Sequence, residues 1–338
     1  MRFAAFAYSR RGCETARRIM AALPGDWRAY APERLAETPF APLPKPSNSV
    51  YGECFSTSGA LIFVGSCGIA VREIAPWVRS KCADPAVLCV DERGSFVIPL
   101  LSGHIGGANA LARQLAEALG ATAVITTATD INGRFSVDAW ATENGMAISD
   151  MSAAKAVSAA ILERDVPLKS DFPVSGGLPA GTVPGESGPL GIYITSTTIR
   201  PFDRTLRLIP RCLHLGVGCR RGTEEDVIAA AVENALSRSG LDIRAVKDAA
   251  SIDLKAEEPG LLAFCARMGW PTRFYTAEEL NAVPGVFTPS DFVRSVTGVD
   301  NVCERAALAG GGELIVKKTA ADGVTVAVAM EKTEVRFG

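Results

Sequence analysis

Residues 96–119 read FVIPLLSGHIGGANALARQLAEAL. An apolar run, Phe96 to Leu101, gives way to a glycine-rich junction, Ser102-Gly103-His104-Ile105-Gly106-Gly107. Apolar residues at helical spacing follow and stop at Gly120. A short apolar run bounded by turn residues reads as a buried strand, and a glycine just past the last periodic residue is a helix stop. Strand, turn and helix in succession indicate an α/β layer fold with a largely parallel sheet.

The same reading extends outward. Phe3 to Tyr8 predicts a strand, followed by Ser9 to Gly12 and a helix through Leu23. Leu61 to Val64 predicts a strand ending at Gly65, and Ile69 to Arg79 a helix that Pro76 would kink or shorten. Val87 to Val90 pairs with Phe96 to Leu101 across the Asp91-Glu92-Arg93-Gly94 turn, and Ala123 to Thr126 is a further strand. Residues 31–50, rich in Pro and Ala, read as a loop. The segment after about residue 136 changes character, with an Ala-rich helix from Met151 to Arg164, a Pro/Gly-rich stretch from Pro173 to Pro189, and a β-like run from Gly191 to Thr198.

A second α/β unit begins near Arg211. Leu213 to Val217 reads as a strand and Thr223 to Ser237 as a helix, with Thr223 and Asp226 at capping-box spacing. Pro259 to Met268 is a helix, Thr272 to Tyr275 a strand and Ala277 to Asn281 a helical turn. Glu313 to Lys317 and Val324 to Met330 form a hairpin through Ala321-Asp322-Gly323. The expected fold class is α/β: two three-layer α/β/α domains with largely parallel or mixed sheets, 1–135 and 211–338, joined by a small middle module or linker, 136–210.

Composition narrows the function. The chain has 338 residues, nearly half of them apolar, and a formal net charge of -2. That suits a globular protein with ample core and lacks the basic excess of a general nucleic-acid binder. The apolar stretch near the start is shorter than a signal-peptide core, and no run approaches the ~18 apolar residues of a membrane span. Nine cysteines, an odd number without a C-x-x-C pair, argue against a disulfide framework or a structural zinc site. Reduced thiols in a cytoplasmic protein fit better.

Three glycine-rich junctions follow strands: Gly65 to Ala70 with Ser66 and Gly68, Ser102 to Asn109, and Gly216 to Thr223 with Gly218 and Arg220. Ligands of open parallel sheets collect at the carboxyl ends of strands, and helix N-termini there offer free N–H groups to anions. Glycine after a strand is also ordinary turn chemistry. None of the three matches a dinucleotide or P-loop pattern. His104, one of only two histidines, suits proton transfer near neutral pH; a cap or core hydrogen bond is its bland alternative. His214 lies inside an apolar strand and reads as structural. Thr126-Thr127-Ala128-Thr129-Asp130-Ile131-Asn132-Gly133 could bind carboxylates and orient a water, or be only a hydrogen-bonded loop. Lys255 stands beside Glu257 and Glu258 at what could be a solvated helix start. Gly310-Gly311-Gly312 reads as an anion loop or a flexible connection. Cys219 and Cys303 have no histidine near in sequence to make them nucleophiles.

Several strings read together as a family. Val64-Gly65-Ser66-Cys67-Gly68-Ile69-Ala70-Val71-Arg72, Leu100 to Asn109 and Ile125-Thr126-Thr127-Ala128-Thr129-Asp130 resemble the amino-terminal domain of the CbiG family. Gly216-Val217-Gly218-Cys219-Arg220, Ile252-Asp253-Leu254-Lys255, Val286-Phe287-Thr288-Pro289-Ser290, Gly298 to Glu304 and Lys317-Lys318-Thr319 resemble the carboxyl-terminal CbiG/CobE domain. The resemblance implies a hydrolase of anaerobic cobalamin biosynthesis. Such an enzyme opens the δ-lactone of cobalt-precorrin-5A and releases acetaldehyde to give cobalt-precorrin-5B. Water is the co-substrate, cobalt arrives inside the substrate, and no nucleotide, flavin or protein-bound metal is implied. The alternative is a non-catalytic carrier of cobalt-tetrapyrroles. Expected partners are the substrate, neighbouring enzymes of the pathway and a second copy of the chain, with no nucleic acid and no membrane.

Position and residue type then suggest roles. His104 is the acid–base group and Asp130 orients it or the water. Backbone N–H groups around Gly103, Gly106 and Gly107 stabilise developing charge. Arg72, Arg220 and Lys255 hold substrate carboxylates. Gly65, Ser66, Gly68, Ser102, Asn109, Thr127, Gly216 and Gly218 line the binding surface.

Overall fold

The computed structural model describes residues 1–80 and 83–337, so Cys82 lies outside the described residues. The chain divides into two compact units, Met1–Trp140 and Ala141–Gly338.

Unit 1 is built on seven strands: β1 (Arg2–Ala7), β2 (Asp26–Ala31), β3 (Phe40–Pro42), β4 (Ala60–Val64), β5 (Ala86–Val90), β6 (Phe96–Leu101) and β7 (Thr122–Ala123). Their spatial order is β3-β2-β1-β4-β5-β6-β7. Helices α1 (Arg10–Ala22), α2 (Asn48–Thr57) and α3 (Cys67–Ile74) carry the chain between strands, so β1 to β5 all run parallel. The β5–β6 connection is too short for a crossover, which needs a dozen or so residues. There the Asp91 carboxylate accepts from the N–H groups of Arg93, Ser95 and Phe96 at 3.1, 2.7 and 2.6 Å, and β6 turns back antiparallel to β5. Helix α4 (Ala108–Leu119) follows β6 and ends at Gly120 in the left-handed conformation. Two short helices, α5 (Ala128–Ile131) and α6 (Val137–Glu143), come after β7.

The strands are apolar on both faces because helices cover both. Along β1, Phe3, Ala5 and Ala7 join one core with Ala16 and Ile19 of α1 and Ala112 and Leu115 of α4. Ala4 and Phe6 join another with Tyr51, Cys54 and Phe55 of α2 and Ala70 and Ile74 of α3. Period-2 alternation thus divides one hydrophobic run between two cores. The structure shortens the expected 69–79 helix to end at Ile74, two residues before Pro76. It also forms β2 and α2, which the sequence reading passed over.

Unit 2 contains two five-stranded sheets. The first has β8 (Ala147–Ile148), β9 (Val166–Ser170), β11 (Thr182–Pro184), β12 (Leu190–Ile194) and β13 (Arg204–Ile209), in the order β11-β9-β12-β13-β8, with helix α7 (Met151–Ala160) packed on β12 and β13. A separate strand, β10 (Val174–Ser175), pairs with β19 (Val335–Arg336). The second sheet has the order β16-β15-β14-β18-β17. Its strands β14 (Leu213–Cys219), β15 (Val246–Ile252) and β16 (Thr272–Tyr275) are parallel, β18 (Val324–Met330) is antiparallel to β14, and β17 (Glu313–Ala321) pairs antiparallel with β18 at the edge. Helices α8 (Glu225–Arg238), α9 (Pro259–Met268), α10 (Ala277–Ala282), α11 (Asp291–Thr297) and α12 (Val302–Ala309) complete the unit. Arg207 of β13, almost fully buried, donates to Asp242 at 2.7 Å and to the Thr197 carbonyl at 2.6 Å, and Arg244 pairs with the same carboxylate.

One local expectation is corrected. Thr223 does not cap α8; its hydroxyl donates to the Arg220 carbonyl at 2.8 Å, closing the turn, and the helix begins at Glu225. A capping box forms instead between Thr276 and Glu279 at α10. The chain adopts the α/β class expected from its sequence. Among the described residues, no helix is long and apolar enough to cross a membrane.

Candidate active site

The reversal of β6 decides which predicted residues meet. Val64, the last residue of β4, lies opposite Val90, the last of β5. Leu101, the last residue of β6, lies opposite Val87, near the start of β5. Gly65, Ser66 and Gly68 therefore follow the carboxyl edge of the parallel strands, and the Ser102–Gly107 loop sits at the other edge. Arg72 turns back along α3 to donate to the Gly68 carbonyl at 3.3 Å. The sequence reading treated every junction as a carboxyl-edge junction, and an antiparallel strand breaks that rule.

The loop is wound tightly. Ser102 takes a left-handed conformation (φ 57°), and its hydroxyl donates to the Asp84 carbonyl at 3.0 Å. A Cβ on Gly106 would stand 2.3 Å from that of Ser102, so only glycine permits the approach. The Gly107 N–H donates to the His104 carbonyl and the Asn109 N–H to the Gly103 carbonyl, both at 2.9 Å.

This winding sets the His104 ring between two carboxylates. Nε2 lies 2.9 Å from Asp130 Oδ2 and Nδ1 lies 3.3 Å from Asp138 Oδ1. The Thr129 hydroxyl is 3.3 Å from Nε2. Asp130 is a hub, accepting from Asn109 at 3.1 Å, from the Thr127 hydroxyl and from Arg113 of α4. Asn109 also donates to Thr127 at 2.9 Å. Asp138 accepts from the Ser136 hydroxyl at 3.2 Å and from the Ala139 N–H at 3.1 Å.

These contacts settle charge. Burial alone would raise the Asp130 carboxyl; hydrogen bonds from Thr127, His104 and Arg113 outweigh it and hold the group at about 2. The His104 ring is pushed above its ordinary value, first by Asp138, against the opposing effect of burial, and further by Asp130. The arrangement favours the protonated ring, and such a ring can give a proton.

Other predicted residues sit elsewhere. In unit 2, Gly216 is sealed: a Cβ there would be 1.7 Å from the Cys303 carbonyl oxygen on α12. Its bareness serves helix packing and not ligand access. A Cβ on Gly218 would meet the Thr325 hydroxyl at 2.6 Å. Arg220 begins the turn after β14, and its N–H donates to the Gly323 carbonyl at 3.2 Å. Lys255 donates to buried Glu258 at 2.8 Å, whose other oxygen accepts from the Gly222 N–H at 2.6 Å. Lys255 and the Arg220–Gly222 turn are thereby brought together. His214 is buried against Asp248 at 2.7 Å, as a structural histidine would be. Burial pushes the Cys303 thiol up to about 11, which disfavours a nucleophile.

Sequence reasoning missed Asp138 and Arg113, and named Thr129 only as part of its polar cluster. Arg113 was findable, since it stands one helical turn beyond Asn109 on the same face of α4. Asp138 offered nothing beyond an acid in a first turn, which is common in helices.

Comparison with known proteins identifies the family. The model "Cobalamin synthesis G N-terminal" matches residues 49–130, and "Cobalamin synthesis G C-terminus" matches residues 213–329. The cobalt-precorrin-5A hydrolase of Salmonella typhimurium is 36% identical over 340 residues, 96% of this chain and 96% of that protein. The cobalt-precorrin-5A hydrolase of Priestia megaterium is 33% identical over 82% of this chain and 79% of its own length. Protein CobE of Sinorhizobium sp is 38% identical over 121 residues, 35% of this chain and 79% of that protein. Two family models in order along the sequence, and a 36% identical relative aligned over 96% of both lengths, establish that this chain belongs to the CbiG family, the cobalamin synthesis G proteins.

Proposed function

We propose that the chain is a cobalt-precorrin-5A hydrolase, opening the substrate's δ-lactone and releasing acetaldehyde to give cobalt-precorrin-5B in anaerobic cobalamin synthesis. The observation that carries this is the near-full-length relationship to proteins bearing that name. The His104 cluster adds an acid–base group suited to both bond cleavages.

Water adds to the lactone carbonyl, giving up one proton to solvent, and the acyl–oxygen bond breaks. The departing alkoxide takes the Nε2 proton of His104, leaving a neutral ring, and the new acid ionises to solvent. The freed hydroxyl then returns its proton to His104 as the carbon–carbon bond breaks. Acetaldehyde leaves, and the electron pair stays on the macrocycle carbon, which takes a proton from solvent. Asp130 holds the ring through the cycle. N–H groups of Gly103 and Gly106 serve the developing oxyanion, whereas the Gly107 N–H expected to join them is already given to the His104 carbonyl. Within unit 2, Arg220 and Lys255 form a basic surface of their own, suited to carboxylates. Cobalt belongs to the substrate and water is the co-substrate. Cytoplasmic residence, self-association and hand-off to neighbouring pathway enzymes belong to the same reading.

The test is anaerobic incubation of the purified chain with cobalt-precorrin-5A, assaying acetaldehyde, beside His104→Ala. Release by the wild type that is lost in the variant supports the reading. Release by both retains the hydrolase and removes His104 from the chemistry. Tight binding without acetaldehyde from either protein makes the chain a tetrapyrrole carrier.

A further inference from the structure

We infer that a cleft within unit 2, at the carboxyl edge of β14 and β15, binds a carboxylate-bearing cobalt-tetrapyrrole. Phe292 and Val296 of α11 form the apolar wall on one rim, and Arg220 and Lys255 hold carboxylates on the other. That the occupant is the hydrolase's own substrate or product rests on the proposed function; the place and chemistry of the cleft do not.

The cleft follows from the topology. Strand β18 presents Ala327 and Ala329 to α12 but Val324 and Val326 to α8, so these helices cover opposite faces of the sheet. The chain leaves β14 through the Arg220 turn to α8, and leaves β15 through Leu254 and Lys255 to α9, which packs on α8. The segment from Val283 to Asp300 comes back over the other face to enter α12, with Val293 packed against Ile252 at the end of β15. Connections that part to opposite faces leave a crevice at the carboxyl ends of the strands, where ligands of open α/β sheets bind.

The α11 rim is firmly held. Buried Glu304 accepts from the N–H and hydroxyl of Thr288, and buried Asn301 donates to the Thr288 carbonyl at 2.8 Å. Arg305 donates to Asp300 at 2.8 Å and to the Leu280 and Val283 carbonyls at 3.1 Å, and lies 4.2 Å from the centre of the Phe287 ring. On this anchored segment Phe292 is nevertheless 77% exposed and Val296 61%, one helical turn apart on one face of α11. Leu254, 64% exposed, stands beside Lys255 on the opposite rim. Apolar side chains left bare on both rims mark a binding surface. Each rim also carries cations, Arg220 and Lys255 on one and exposed Arg294 of α11 on the other. Glu258 and Asp300 engage Lys255 and Arg294 at 2.8 and 3.7 Å, and ammonium and guanidinium groups carry further donors for a ligand. A macrocycle fringed with carboxylates is apolar across its faces and anionic at its edge, the complement of both rims.

The probe is cobalt uroporphyrin, a stable macrocycle with carboxylates around its rim, titrated into the full chain and followed by its absorption. Phe292→Ser should weaken binding about 10-fold, and Phe292→Ser with Val296→Ser further. Ile199→Ser, at an exposed apolar position between β12 and β13, should leave the affinity unchanged. Phe292→Trp should bind as the wild type does, and the emission it adds should be quenched by the bound macrocycle. These side chains are exposed, so denaturant unfolding should be the same in every variant, which separates lost binding from lost fold. With cobalt-precorrin-5A, Phe292→Ser should raise KM for acetaldehyde release and leave kcat little changed. Unaltered affinity in the double variant, no porphyrin binding by the wild type, or unquenched Phe292→Trp emission overturns the inference. So does a double variant that loses only self-association. A wild type that binds the porphyrin through Phe292 yet releases no acetaldehyde removes the hydrolase reading and keeps the cleft. Acetaldehyde release with a KM indifferent to Phe292 keeps the hydrolase and removes the cleft.

Discussion

Replacing Gly216 by alanine separates the two roles open to a glycine at a strand end. The new methyl would stand 1.7 Å from the Cys303 carbonyl oxygen and 2.7 Å from the Ala307 nitrogen, both backbone atoms of α12. Ordinary contacts need about 3.5 Å, so the helix must draw back on the order of 1.5–2 Å. Helix α12 buries Val302, Cys303, Ala306 and Ala307. Its Glu304, fully buried, accepts from the Thr288 N–H at 2.8 Å, the Thr288 hydroxyl at 2.9 Å and the Lys318 N–H at 2.7 Å. Retreat loosens the packing and that polar lock together. Overpacking typically costs 1–3 kcal/mol, and a backbone obstacle that cannot change rotamer puts Gly216→Ala at about 3 kcal/mol or above. Gly222→Ala is the control: its φ is +74° but its surroundings are open, so the cost is about 1–2 kcal/mol of backbone strain. Urea unfolding, with hydrogen exchange of the α12 amides, measures both. A Gly216→Ala protein with wild-type unfolding and exchange, and only a raised KM, would refute the packing role and return Gly216 to the ligand surface.

Two further outcomes follow from ionic contacts. Asp242→Ala should lower the stability of unit 2 by about 3–5 kcal/mol, because it leaves buried Arg207 without its carboxylate; Asp242→Ala combined with Arg207→Met should recover part of that loss in denaturant unfolding, and a more-than-additive loss would contradict it. Asp130, held at about 2, contributes stability that is present above about 4 and lost as pH falls through its folded value, whereas His104, raised above about 6.5, contributes stability that is present below 6.5 and lost as pH rises through its folded value. The stability difference between wild type and His104→Gln should therefore be largest near pH 5–6 and shrink toward pH 9, and a flat difference profile would count against the two-carboxylate cradle.

Much of the architecture was legible in local patterns. Apolar runs closed by glycine gave β1, β4, β5, β6 and β14, and Asp322-Gly323 placed the β17–β18 turn, where both residues take positive φ. Strand β2 was hidden because its charged and aromatic residues, Asp26-Trp27-Arg28-Ala29-Tyr30-Ala31, lie toward a sheet edge and are only partly buried. The pairing of β5 with β6 was readable, but it also moves His104 away from Gly65, a consequence visible only once the strand directions are laid side by side. The role of Gly216 depends on α12, far along the chain, and no local pattern encodes that contact. His104 and Asp130 could be paired as candidates by residue type. Asp138 could not, since its meaning comes from the ring it faces.

Strand β14 lies at the centre of its sheet, yet its two neighbours are made at very different times. β15 follows after α8, whereas β18 must wait for α9, β16, α10 to α12 and β17. A nascent chain emerging from the ribosome therefore carries Leu213, Leu215 and Val217, all buried in the finished fold, on a strand with one bare side. A message cut short before Val324 would leave that side permanently unpaired, a template for joining another unfinished chain. Production of this protein is thus exposed to aggregation during synthesis to a degree that the packing of the completed molecule conceals.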